Sequence, residues 1–380
     1  MLAESADAII VGAGPAGLAT AACLQASGRD EVILEKAGAV AAVWRRHYDR
    51  LHLHTDRTRS GLPGLAMPKA YGRYPSRAHV IEYLEAYAAK FALKPVFNAA
   101  VNVVRREGPH WRAEAGQNSW RAPVVVIATG WADYPYAPNW PGMETFGGPI
   151  LHSSAYRNPA PFAGKRVLVV GYGNSGAEIA LDLAEAGIDV TLSVRSPVNI
   201  IPRELFGLPI LVFPIAEQWL PPRLADIVNA PAIRLAVGSL AAAGLTKAHK
   251  GPLQTIAEDG RPPLIDIGTL AEIRSGRIKV RGDVAKFTAD GIMFTQSEAE
   301  PFDAAILATG FRPDLRAMLP DAKGVLNESG APLVSGRETS EPGLFFCGAT
   351  VSPTGQLRQI AIEAPAIART VANAPAARAA

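Results

Sequence analysis

The sequence predicts an α/β protein with two Rossmann-like dinucleotide-binding domains, the first split by the insertion of the second. Three observations predict it. A strand, a glycine loop, a helix and a second strand ending in an acid open the chain. The same succession returns from Arg166 but ends in a base. An apolar run closing on Ala-Thr-Gly occurs twice, before and after that second copy.

The first strand, over 7–11, runs into Gly12-Ala13-Gly14-Pro15-Ala16-Gly17. Gly12 permits the tight turn, Gly14 lets the backbone approach a pyrophosphate, and Gly17 allows close helix–strand packing. The helix that follows, marked by Leu18, Ala21, Ala22 and Leu24, points N–H donors and a positive dipole end at the loop. A second strand, over 31–34, ends at Glu35, where a carboxylate accepts hydrogen bonds from ribose hydroxyls. This first site suits FAD.

In the second copy a strand over 166–170 leads into Gly171-Tyr172-Gly173-Asn174-Ser175-Gly176, a helix over 177–186 and a strand over 189–194. That strand ends in Arg195 and Ser196. A carboxylate there would repel a 2′-phosphate, whereas a guanidinium beside a hydroxyl binds one. The second site therefore suits NADPH rather than NADH. The two apolar runs end in Ala128-Thr129-Gly130 and Ala308-Thr309-Gly310, which suits segments passing between nucleotide domains close to bound cofactor. On this reading residues 1–155 and 300–380 form the discontinuous FAD domain and 156–299 the NADPH domain. The hinges fall at 157–161 and 297–301, and the Ala-rich tail over 372–380 frays.

The composition agrees. An apolar fraction of 48% with 19% charged residues supports a sizeable core, and a net charge of +3 gives no reason to expect nucleic acid as a partner. Two cysteines, Cys23 and Cys347, form no CxxC, so a disulfide scaffold, a cysteine-rich metal site and a redox dithiol are not expected. No metal is expected. Residues 1–7 carry no basic region of an export signal. The apolar stretch over 205–245 is broken by Pro209, Pro214, Pro221 and Pro222 and by Glu217, Arg223, Asp226 and Arg234, short of the roughly 18–20 residues of a span. A cytoplasmic protein is expected. The stretch is open to three readings: a lid, the face of a homodimer, or a membrane contact.

The segment Phe146-Gly147-Gly148-Pro149-Ile150-Leu151-His152-Ser153-Ser154-Ala155-Tyr156 resembles the FxGxxxHxxxY motif of the class B flavin-dependent monooxygenases at every defined position, and stands just before the second glycine loop. Arg157-Asn158 follows, not the Trp-Pro/Asp ending of many Baeyer–Villiger members. The resemblance implies that Phe146, Gly148, His152 and Tyr156 form a linker coupling the two cofactor sites. A finer similarity is to the YUCCA-type, indole-3-pyruvate monooxygenase branch. Trp44-Arg45-Arg46-His47-Tyr48-Asp49-Arg50-Leu51-His52-Leu53-His54 resembles its WxxxxYDRLxLH stretch, one residue shorter. Pro263-Leu264-Ile265-Asp266-Ile267-Gly268-Thr269-Leu270 resembles its PVLDVGTL, and Ile306-Leu307-Ala308-Thr309-Gly310-Phe311 its ILATGY. Two departures stand out: Ala349, not an Asp, follows Gly348 in Leu344-Phe345-Phe346-Cys347-Gly348-Ala349, and His54 occupies the place of an Asn found in N- and S-oxygenating relatives.

The resemblance implies an enzyme in which NADPH reduces FAD, the reduced flavin captures O2 as a C4a-(hydro)peroxide, and one oxygen atom passes to a small-molecule substrate. The cofactor carries the hard chemistry, so no catalytic triad or paired carboxylate is needed. The implied substrate is an aromatic 2-oxo acid such as indole-3-pyruvate, decarboxylated oxidatively. The competing readings are a general N- or S-oxygenase of small amines or sulfides and, from another class, a flavin-binding sensor without turnover. His54 and Asn174 are the catalytic candidates. His54 is either near the flavin or a satisfied strand histidine. Asn174 either touches the substrate or peroxide or caps its helix. Lys36, Trp44, Arg45 and Val101 complete the expected FAD contacts, with Gln356 and Leu357 after Gly355 opening the last helix, over 359–372, near the flavin's C2 carbonyl. The region from Ile201 to Pro252 shapes the substrate pocket.

Overall fold

The computed structural model describes residues 6–295 and 297–373. The start of the N-terminal segment and most of the Ala-rich tail lie outside the described residues. In chain order the elements are β1 (Ala8–Val11), α1 (Pro15–Ala26), β2 (Glu31–Leu34), α2 (Ala42–Arg46), α3 (Arg77–Lys90), β3 (Val103–Glu107), β4 (His110–Ala115), β5 (Asn118–Ala122) and β6 (Val124–Ile127). Then come β7 (Ile150–His152), β8 (Arg166–Val170), α4 (Asn174–Glu185), β9 (Asp189–Ser193), β10 (Ile200–Pro202), β11 (Glu204–Leu205) and β12 (Leu208–Pro209). After α5 (Val212–Ala216), α6 (Pro222–Val237) and α7 (Pro252–Asp259) follow β13 (Leu264–Asp266), α8 (Thr269–Arg274), β14 (Ile278–Arg281), β15 (Val284–Phe287), β16 (Gly291–Phe294) and β17 (Ala299–Pro301). The chain closes with β18 (Ala304–Leu307), β19 (Leu344–Phe346) and α9 (Gln356–Asn373).

Two compact units divide the chain. The first comprises the described parts of Met1–Arg45, Thr55–Tyr134 and Arg312–Ala380. Its parallel sheet has the order β19-β6-β1-β2, and a separate antiparallel meander joins β3, β4 and β5. Ile9, Ile10, Val125 and Val126 are fully buried, as a parallel sheet covered on both faces requires. Helices α1 and α9 pack on each other. The small residues Ala19, Ala21 and Ala22 of α1 permit close approach, while α9 buries Leu357, Ile360, Ala364, Ile367 and Val371 at helical spacing. Helix α9 begins at Gln356, three residues before the expected start. Gly355, at φ +97°, turns the chain into it.

The second unit comprises Arg46–His54 and Pro135–Phe311. Its parallel sheet runs β14-β9-β8-β18-β7, with a second, antiparallel sheet of β15, β16 and β17 and small pairings β10–β13 and β11–β12. Unit boundaries therefore differ from the expected 155/156 and 299/300. The short strand β7 and the strand β18 both join the sheet of β8, so the segments on either side of 156–299 belong to the inserted unit. The expected hinge at 157–161 lies within it. The excursion over 46–54 joins the same unit because Tyr48 is buried in its core beside Tyr156 and Phe162.

Helix α6 turns its apolar side outward: Leu224, Ile227, Val228 and Leu235 are exposed, and Phe206 and Trp219 before it are more than three-quarters exposed at 76% and 77%. No helix among the described residues is long and apolar enough to cross a membrane.

Candidate functional site

Each unit carries one glycine loop at the C-terminal end of its central strands, and the two have the same internal geometry. Gly12 has φ +110° and Gly171 φ +104°, a region that disfavours side chains. A Cβ on Gly12 would stand 2.7 Å from the Ala128 carbonyl oxygen, and one on Gly171 would stand 2.5 Å from that of Ala308. The third glycines are closed in as tightly: a Cβ on Gly17 would meet the Gly12 oxygen at 1.8 Å, and one on Gly176 the Gly171 oxygen at 2.0 Å. The middle glycines differ. A Cβ on Gly14 or Gly173 meets nothing within 4 Å, so the outer face of each loop is open to a ligand. The helices start inside the loops, at Pro15 and Asn174, and aim their first N–H groups there. Two cradles closed inside and open outside fit two dinucleotides.

The two Ala-Thr-Gly strand ends sit against these loops. Each belongs to the strand beside the one that leads into its unit's glycine loop, β6 beside β1 and β18 beside β8. Each alanine carbonyl is thus the wall that forbids a side chain on the first glycine. Gly130 and Gly310 turn away at φ +68° and +86°. Thr129 stands two residues past the end of β6, and the Thr309 hydroxyl donates to the Tyr136 carbonyl.

In the first unit Glu35 is buried at the end of β2. Its carboxylate accepts the Ala13 N–H at 2.7 Å and the Ala37 N–H at 2.9 Å. It therefore holds the glycine loop itself, with lone pairs remaining for ribose. Lys36 pairs with Asp133 at 3.0 Å. Pro15 and Ala16 form the first turn of α1, and Ala16 is buried. Trp44 and Arg45 lie on α2, where Arg45 pairs with Glu85, and Val101 is buried in the core around Trp111. Gln356 donates to the Gly348 carbonyl at 2.9 Å while Leu357 is buried. No Asp follows Gly348 in sequence, but α9 supplies a carboxylate: buried Glu363 accepts the Gly348 N–H and the Ser335 hydroxyl, both at 2.7 Å. A Cβ on Gly348 would come within 3.2 Å of Ala16, so this clamped turn abuts the first glycine loop.

In the second unit Arg195 and Ser196 follow β9 and are exposed. Arg195 has no ion pair among the described residues, which leaves its guanidinium available. Asn174 neither caps α4, whose N-cap is Gly173, nor is free. Its Oδ1 accepts the Ile265 N–H at 2.8 Å and its Nδ2 donates to the Pro263 carbonyl at 3.2 Å, tying the loop to β13. Ser175 lies in the first turn of α4.

The motif residues are brought together in this unit. Phe146 packs edge-on against Phe287 at 5.5 Å between ring centres. A Cβ on Gly148 would meet the Asp303 carbonyl oxygen at 2.3 Å. His152 accepts the Ser154 N–H at Nδ1, so Nε2 carries the hydrogen and donates to the Gly310 carbonyl at 3.0 Å. Burial holds its pKa below the ordinary value against the opposing effect of that bond. The buried Tyr156 hydroxyl donates to Asp182 of α4 at 2.7 Å. Each defined position thus fixes part of the frame around β8, α4 and the second Ala-Thr-Gly end.

His54 ends the excursion over 46–54 and meets Glu178 of α4 at 2.5 Å. Sequence reasoning missed Glu178 and Glu363, because an acid within a helix reads as a solvated face. The one available signal is that Glu178 stands at an otherwise apolar position of α4, between Ala177 and Ile179. No cluster of three or more metal-ligating side chains occurs among the described residues. Cys23 and Cys347 are free thiols, pushed up to about 11 and about 12 by burial.

The sequence model of the pyridine nucleotide-disulphide oxidoreductase family matches residues 9–202. The chain is 42% identical over 328 residues to the indole-3-pyruvate monooxygenase YUCCA1 of Oryza sativa subsp. japonica, covering 85% of this chain and 81% of that protein. It is 38% identical over 358 residues to the indole-3-pyruvate monooxygenase YUCCA6 of Arabidopsis thaliana, covering 90% and 85%. Among solved structures, a flavin-containing monooxygenase from Stenotrophomonas maltophilia superposes with a TM-score of 0.72 at 26% identity, covering 97% of this chain and 98% of that one.

Proposed function

The chain belongs to the flavin-dependent monooxygenases, in the branch of the indole-3-pyruvate monooxygenases, and from that premise we propose that it converts an aromatic 2-oxo acid of the indole-3-pyruvate type to the acid one carbon shorter. The enzyme is an NADPH- and O2-dependent oxidoreductase using FAD. The observation that carries the substrate reading is the similarity, over most of the chain, to relatives bearing that activity in their names. His54, in place of the Asn of N- and S-oxygenating relatives, supports it.

The bound cofactors supply hydride transfer and oxygen activation. The chain's own residues bind, orient and shield. In this reading the open face of the first loop, Gly12 to Gly17, receives the FAD pyrophosphate, and Glu35 orients both the loop and the ribose. Glu363 and Gln356 fix the Gly348 turn against α1, so that the start of α9 offers its N–H groups to the flavin. The second loop receives the NADPH pyrophosphate, and Arg195 with Ser196 takes the 2′-phosphate. Asn174 holds β13, and with it the Ile201–Pro252 region that borders the substrate. His152 and Tyr156 keep the second loop's frame rigid during cofactor exchange. A cytoplasmic location, where NADPH is replenished, goes with this reading.

The test is turnover of indole-3-pyruvate with NADPH under air, following indole-3-acetate and peroxide. Near-stoichiometric acetate is expected. Peroxide alone from the oxo acid, with sulfoxide from an aryl methyl sulfide, would assign the chain to the general oxygenases instead.

A further inference from the structure

A buried acid lies near the start of α4, behind the second glycine loop. Glu178 is 2% exposed, two residues past the last glycine of the second loop. A carboxylate so far from water is costly unless its partners compensate it. Its partners come from the 46–54 excursion. Oε1 meets His54 Nε2 at 2.5 Å, and the charge of the same carboxylate acts on the buried Tyr48 phenol.

The chemistry of the donors fixes the ring. A carboxylate only accepts, so Nε2 of His54 carries a hydrogen and points inward. Nδ1 makes no hydrogen bond among the described residues, and the side chain is 15% exposed. The ring is pinned by one nitrogen and presents the other. The surrounding groups leave Glu178 as its counter-charge. Burial, and after it the charge of Glu178, pushes the Tyr48 phenol well above its ordinary value, so it stays a neutral donor. The Arg50 guanidinium faces Glu185 and Asp182 as well as Glu178. Asp182 accepts from Tyr156.

We propose that Glu178 is a positioning residue that fixes His54 with Nδ1 presented to the reaction, and that the pair stores the proton consumed in each turnover. The inference rests on the monooxygenase reading of the site. The stoichiometry requires such a proton: the 2-oxo acid, O2, NADPH and one H+ give the shortened acid, CO2, NADP+ and water. One oxygen atom enters the acid and the other leaves as water. The imidazolium gives up its Nδ1 proton, keeps the Nε2 hydrogen on Glu178, and is recharged from solvent.

The experiment is nitrogen NMR of histidine-labelled holoenzyme across pH, for wild type, Glu178→Gln, Glu178→Asp and His54→Gln, the last assigning the His54 signals. It is paired with the pH profile of product formation. In wild type the neutral ring is expected as the Nε2–H tautomer. In Glu178→Gln its titration midpoint falls by about one pH unit or more, the alkaline fall of product formation moves with it, and Glu178→Asp restores part of both. An unmoved midpoint in Glu178→Gln, or a moved midpoint with an unmoved profile, would overturn the proposal. If Glu178→Gln does not fold, His54→Gln decides through the profile: losing the alkaline limb supports the proposal and keeping it overturns it. A wild type that returns all oxygen as peroxide sinks the monooxygenase reading, whereas the NMR midpoint judges the pair on its own.

Discussion

The middle and last glycines of the second loop should fail in opposite ways. Gly173 has φ −97° and ψ −172°, an extended conformation any residue adopts, and a Cβ there meets nothing within 4 Å. Gly173→Ala should therefore cost only the loss of a tolerated helix N-cap residue, about 1 kcal/mol or less, or roughly 2–4 °C in melting temperature. The new methyl stands on the face assigned to the pyrophosphate. Hydrogen bonds to a charged group are each worth about 1.5–3 kcal/mol, so displacing one should weaken NADPH about 10- to 100-fold. Gly176→Ala places its Cβ 2.0 Å from the Gly171 oxygen and 3.2 Å from the Ala308 Cβ. Backbone and a packed neighbour must move, at about 1–3 kcal/mol. Thermal unfolding without nicotinamide, followed by the KM for NADPH, separates the two. Gly173→Ala is expected to melt near wild type and bind poorly, and Gly176→Ala to melt lower. Wild-type NADPH binding in Gly173→Ala would refute the assignment of the open face. Wild-type melting in Gly176→Ala would refute the steric argument itself.

Arg195→Ala should leave stability within about 0.5 kcal/mol while raising the KM for NADPH about 10- to 100-fold and sparing NADH. Equal effects on the two nucleotides, in steady-state kinetics, would remove the phosphate-binding role. Tyr156→Phe should destabilise by about 1–2 kcal/mol in urea, because part-buried Asp182 loses its donor. Burial already raises the Asp182 carboxyl and the tyrosine bond opposes it, so the variant's penalty should grow as pH rises from about 4 to neutrality, and a flat penalty would count against the assigned bond. His152, depressed by burial, contributes stability that is full above about pH 6.5 and lost as pH falls. Melting curves of His152→Gln should lose that acid limb, and an unchanged limb would assign it elsewhere.

The sequence displays the loops because their chemistry is local. Gly12, Gly14 and Gly17 sit within six residues, and Glu35 follows at the end of the next strand. The unit boundaries were harder to see. Three residues, Ile150–His152, form an edge strand whose membership depends on pairing with Ala305, Ile306 and Leu307 far along the chain. His54 was visible as a candidate, but its role depends on a partner 124 positions away. In the sequence Asn174 reads as a cap or a substrate contact. It does not cap α4, and its amide is engaged by the backbone at Pro263 and Ile265, a tertiary contact that no local pattern encodes. Glu363 was hidden likewise, since the turn it clamps lies in another element.

The fit of each first glycine against a distant alanine carbonyl sets the smallest portable piece of this enzyme. A designer who transplants Gly171 to Gly176 into another scaffold carries half a mould. The other half is the strand end at Ala308, which shapes the turn without touching it in sequence. Chimaeras exchanging cofactor preference should therefore move the loop and its Ala-Thr-Gly counterpart together. Recombination breakpoints between them should yield chains that express but do not hold nucleotide.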